Sequence, residues 1–113
     1  MAKYITIAKI NEIPEGTMKG FTVGNKQILV ANVKGKFYAT DALCSHKQAY
    51  LPNGKLKGNI VTCPLHGAQF DVVSGKVQKN INPLIRILTG DKGATDLNTY
   101  EIKVEGNKIK VKI

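Results

Sequence analysis

The chain has 113 residues, two cysteines, two histidines, no tryptophan and a formal net charge of +9. That length suits a single domain, 1–113, with a modest core to which a bound cofactor would add stability. There is no long apolar run and no signal-like opening, which points away from a membrane span and towards the cytoplasm.

Apolar and polar residues alternate over much of the chain, and no window sustains a helical period. The expectation is an all-β chain with short strands at 4–9, 20–23, 27–33, 36–40, 60–63, 68–72, 76–79, 84–88, 99–104 and 108–113. Gly24-Asn25, Lys34-Gly35, Asn53-Gly54, Ser74-Gly75 and Gly106-Asn107 supply the turns. In the last hairpin Ile102, Val104, Ile109, Val111 and Ile113 fall on one face, and Lys103, Lys108, Lys110 and Lys112 mostly on the other. Pro14 and Pro83 read as loop or strand-edge residues, and 89–98 as a surface loop without a core of its own.

The positive charge is nearly all lysine, with Arg86 the only arginine. Nucleic-acid readers lean on arginine for bidentate and stacking contacts, so lysines alternating along strands describe a solvated sheet face. Such a field steers the protein towards acidic partners.

Two segments break the alternation: Cys44-Ser45-His46 and, after a gap of 16 residues, Cys63-Pro64-Leu65-His66-Gly67. Each stands at a strand-to-loop transition and offers one thiolate and one imidazole, a donor set that suits zinc or an iron–sulfur centre. Two-Cys, two-His zinc sites usually take both cysteines from one knuckle. One Cys and one His per loop fits a two-iron cluster, with both cysteines on one iron and both histidines on the other. A Cys44–Cys63 disulfide is the bland alternative, and it leaves the paired histidines unexplained. A zinc-stabilised module binding nucleic acid through its lysines is a further one.

These residues resemble the Rieske family. The likeness rests on Cys44-x-His46, then Cys63-Pro64-x-His66-Gly67, followed by Phe70-Asp71 and Ser74-Gly75. Asn11-Glu12-Ile13-Pro14-Glu15-Gly16 is similar to the family's lead-in, and Phe37-Tyr38-Ala39 to a flanking strand. Gln48 departs from the glycine or acidic residue common there, and the loop at 89–98 is longer than usual. The resemblance implies antiparallel sheets in a sandwich or barrel, with cluster-binding loops at about 43–51 and 63–70. It also implies one 2Fe-2S cluster on Cys44, His46, Cys63 and His66, with the outer edges of the two histidines as the docking and electron-exit point.

Function follows as a further expectation: a monomeric one-electron carrier between a reductase and an oxygenase or other redox enzyme, itself no enzyme. A small subunit fixed in an oxidoreductase complex is the alternative. Two neutral imidazoles in place of two thiolates leave the site less negative and raise its potential above that of four-cysteine ferredoxins. High-potential respiratory members place a hydroxyl donor at the positions of Ala68 and Phe70, and a loop-clamping disulfide at those of Ala49 and Leu65. The residues here imply a potential near the low end of about −150 to +300 mV.

Overall fold

The alternating segments form eleven strands in the computed structural model, which describes residues 3–45, 48–65, 67–90 and 93–113. They are β1 (Tyr4–Lys9), β2 (Met18–Val23), β3 (Lys26–Val33), β4 (Lys36–Asp41), β5 (Lys55–Lys57), β6 (Ile60–Thr62), β7 (Gln69–Asp71), β8 (Val77–Lys79), β9 (Thr99–Tyr100), β10 (Ile102–Glu105) and β11 (Lys108–Lys112). One helix, α1 (Pro83–Thr89), lies between β8 and β9. All pairings are antiparallel, in three sheets ordered β1-β11-β10, β2-β3-β4-β9 and β5-β6-β7-β8.

β3 explains how the sheets combine. Ile28, Leu29, Val30 and Ala31 are all fully buried, so this strand is covered on both faces. Strand residues point alternately to opposite faces. Ile28 and Val30 accordingly pack with Ala39, Ile109 and Val111, while Leu29 and Ala31 pack with Leu51, Val61 and Phe70. The β2-β3-β4-β9 sheet is thus the shared wall between a basal core and an upper core. Each buried branched side chain contributes roughly 1.5–3 kcal/mol relative to exposure. Buried Asn32 is satisfied in this wall, since its Nδ2 donates to the Ile13 carbonyl at 2.8 Å and its Oδ1 accepts from Gly35 N–H at 2.9 Å.

Everything between β4 and β9 leaves and returns at one place. Asp41 N–H donates to the Asn98 carbonyl at 3.0 Å, and Asn98 N–H donates to Asp41 Oδ2 at 2.9 Å. The Tyr100 hydroxyl closes the junction with a 2.7 Å bond to Asp41 Oδ1. The upper half is therefore one continuous stretch, residues 42–98.

Three expectations need correction. Residues 84–88 are not a strand but most of α1, whose Asn82 N-cap accepts from Leu84 N–H and whose C-cap Gly90 is left-handed at φ 70°. Five residues, four of them apolar, are too few to reveal a 3.6-residue period, whereas the Asn-Pro start and glycine stop encode the helix. Pro83 is for the same reason a helix-opening residue and not a strand-edge one. Residues 89–98 do have a share in the core, because Ala94 and Leu97 are buried in the upper cluster. In the final hairpin Ile109 and Val111 are buried as expected, while Val104 stays exposed at the free edge of its sheet.

Candidate metal centre

The described residues of the two cysteine-bearing segments share one pattern of backbone hydrogen bonds. In the first, Cys44 N–H donates to the Ala49 carbonyl at 2.8 Å and the Cys44 carbonyl accepts from Gln48 N–H at 2.9 Å. In the second, Cys63 N–H donates to the Ala68 carbonyl at 2.8 Å and the Cys63 carbonyl accepts from Gly67 N–H at 3.2 Å. The residue four after each cysteine is left-handed, with φ 55° at Gln48 and 75° at Gly67. A left-handed residue is what lets the chain double back onto its own cysteine within five residues.

Hairpins hold the loops in place. A bridge between Leu43 and Tyr50 closes the base of the first loop, and β6 pairs with β7 across the second, with Val61 opposite Phe70. The segment that follows the first loop also runs against the strand that leads into the second. The short 3-10 turn Leu51–Asn53 follows the first loop, and at its end Gly54 runs so close to β6 that an added Cβ would lie 1.9 Å from the Thr62 carbonyl oxygen. Only a residue without a side chain fits there, directly before Cys63.

Cys44 and Cys63 are 1% and 3% exposed, belong to the same buried cluster and are not joined in a disulfide. The disulfide alternative is therefore set aside. His46 and His66 lie outside the described residues. Two buried thiols at equivalent points of two matched loops, screened from water by Leu51, Ala68 and Phe70, fit a thiolate-held metal centre. Ala68 and Phe70 are fully buried and carry no polar side-chain hydrogen, so neither can donate to a bound group.

A segment missed by sequence reasoning ties the loops together. Ser45 Oγ donates to the Thr95 carbonyl at 2.5 Å and accepts from Thr95 N–H at 2.9 Å. One residue earlier, Ala94 makes the same reciprocal pair with the Asn80 amide, at 2.9 and 3.0 Å. Asn80 Oδ1 also accepts from Ile81 N–H at 2.9 Å. Residues 93–98 thus form a strap from the first loop to the strand end that flanks the second. Nothing in composition marks Ser45 or Asn80 for this task, because both make their bonds to backbone far away in sequence.

Beside the first loop, Cys44, Ser45 and Gln48 share a shallow depression with Lys26, Asp41 and Tyr100. The Lys26 ammonium stands 5.3 Å from the Tyr100 ring centre. Burial, and then the hydrogen-bonded Asp41 carboxylate, push the Tyr100 phenol up to about 12.

Two matched, hairpin-borne loops that each bury one thiol define a β-protein whose donor set suits a metal centre. The chain belongs to the Rieske [2Fe-2S] domain family, whose model matches residues 3–89. It is 36% identical over 110 residues to the ferredoxin component of the naphthalene 1,2-dioxygenase/salicylate 5-hydroxylase systems of Ralstonia sp., covering 97% of this chain and 95% of the relative. Among solved structures, the ferredoxin of carbazole 1,9a-dioxygenase from Nocardioides aromaticivorans IC177 superposes with a TM-score of 0.80 at 26% identity, over 96% of this chain and 95% of that one. A ferredoxin solved in complex with the oxygenase of carbazole 1,9a-dioxygenase matches at TM-score 0.79 and 27% identity, over 96% and 91%. Family membership carries one 2Fe-2S cluster, and the antiparallel Rieske fold stands as expected.

Proposed function

We propose that this protein is a Rieske-type ferredoxin, a one-electron carrier between a reductase and an oxygenase or other redox enzyme. The observation that carries the reading is the end-to-end similarity to the ferredoxin component of a dioxygenase system, together with two matched loops presenting buried thiols. Cys44 and Cys63 would hold one iron, and His46 and His66 the other. When bound, the cluster supplies one reversible electron.

The chain's own residues have three tasks. Leu51, Ala68 and Phe70 keep water from the thiols, which preserves a low local dielectric. The paired backbone bonds at Cys44 and Cys63 fix the direction in which each thiol points. The lack of side-chain donors at Ala68 and Phe70 leaves added negative charge on the centre without extra stabilisation, which favours a low potential. No described helix is long and apolar enough to cross a membrane. We read the protein as a cytoplasmic carrier with no catalytic activity of its own.

The deciding experiment is EPR of anaerobically purified, dithionite-reduced protein. A rhombic 2Fe-2S signal with the low average g of mixed histidine and cysteine ligation is expected. It should vanish in Cys63→Ser and change in His66→Cys. Zinc in place of iron, with no signal, would overturn the reading.

A further inference from the structure

Helix α1 is built inside out. None of its seven residues is buried, and Leu84, Ile87 and Leu88 are 61%, 78% and 75% exposed, with Ile85 exposed beside them. The residue turned inwards is Arg86, half-buried over Gly93 and Asn80. A helix of two turns has little intrinsic stability and normally persists by burying an apolar face. This one is held instead by its Asn82 cap, Pro83 and the left-handed Gly90, and its apolar face is left outward.

The position of the helix says what covers it. Pro83 and Arg86 share a surface depression with Gly67, the residue after His66, and with Lys79 and Asn80. A protein that docks on the second loop to exchange an electron meets α1 at the same time. Four apolar side chains offer a few hundred Å², the size of a functional surface patch and well below the roughly 800 Å² per partner of a stable dimer. Small contacts of this kind are characteristic of transient redox encounters.

We infer that the Leu84, Ile87 and Leu88 face of α1 is a docking surface for the electron-accepting oxygenase, fitting an apolar groove with an acidic rim. The acidic rim answers the chain's charge of +9 and the Lys79 side chain beside the helix. The inference rests on the carrier reading above.

The test uses an Ile87→Ser/Leu88→Ser variant, whose side chains are too exposed to matter to the fold. Reduced wild-type and variant protein are mixed with the oxidised oxygenase component of the Ralstonia sp. naphthalene system, and the second-order electron-transfer rate is measured. A rate lower by roughly ten-fold in the variant, with unchanged EPR spectrum and reduction potential, is expected. Equal rates in the two proteins, whether fast or nil, overturn the docking surface. Absence of the cluster signal from both would sink the carrier reading instead. Sedimentation velocity showing a wild-type dimer that the variant disperses would give the face to a second copy. Co-sedimentation of wild type but not variant with phosphatidylglycerol vesicles would give it to a lipid surface, and either result overturns the inference.

Discussion

Gln48 and Gly67 occupy the same place in two copies of one loop, each left-handed and each donating its N–H to the carbonyl of the cysteine four residues before it. Glycine adopts this conformation freely, while a residue with a Cβ is strained by about 1 kcal/mol. A Cβ added at Gly67 would have open space around it, so substitution there tests the backbone alone. Gly67→Ala is expected to lower stability by about 1 kcal/mol, and Gln48→Gly to raise it by a few tenths to about 1 kcal/mol. Urea denaturation of the cluster-loaded protein measures both, and opposite signs are the essential outcome.

The strap at residues 93–98 depends on Ser45 and Asn80. Ser45→Ala removes two bonds at an exposed site and is expected to cost about 1 kcal/mol. Asn80→Ala removes three at a half-buried one and is expected to cost about 2 kcal/mol. Hydrogen exchange should show the Thr95 amide losing protection in the first variant and the Ala94 amide in the second. Unchanged exchange at both would mean that the strap is held by the apolar contacts of Ala94 and Leu97 alone.

Phe70 is fully buried opposite Val61, and both belong to the cluster that contains the two thiols. Phe70→Ala is expected to destabilise by about 3–5 kcal/mol and to admit water to the upper core. Loss of the visible absorbance of the cluster on standing in air should accelerate in step. A variant as stable to air as wild type would show that Phe70 does not shield the centre.

The pH dependence at the alkaline end has a definite sign. The Tyr100 phenol is raised to about 12 from 10.0, through burial and then its Asp41 partner. Between those values the unfolded chain loses the proton and the folded one keeps it, so stability is complete below pH 10 and falls as pH rises towards 12. Tyr100→Phe is expected to flatten the decline in thermal stability across that range, and to remove a late-titrating phenol from the ultraviolet spectrum.

Much of this molecule could be read from residues alone. The Gly106-Asn107 hairpin, the Gly24-Asn25 and Lys34-Gly35 turns and the strands around them are local patterns of period two, and they stand as expected. The pairing of the two cysteine segments was legible because loops built alike carry like residues at like spacing. The rest was hidden for physical reasons. α1 is too short for a period to show, and its apolar face imitates a buried strand because it is itself exposed. Ala94 and Leu97 sit among polar residues that give no sign of a core, and the bonds of Asn80 and Ser45 span 14 and 50 positions. The close approach of Gly54 to Thr62 follows from tertiary packing and leaves no mark beyond a glycine in a turn.

The single junction at Asp41 and Asn98 also bears on how the chain is assembled during synthesis. β2, β3 and β4 can pair as soon as they emerge, and every residue of the upper half follows before Thr99 is made. β1 has no such neighbour: among the described residues its one strand partner is β11, which follows all the other strands in sequence. β1 is thus made before β2 yet paired only after β10, and the half that carries the thiols can close while the base beneath it still waits for β11.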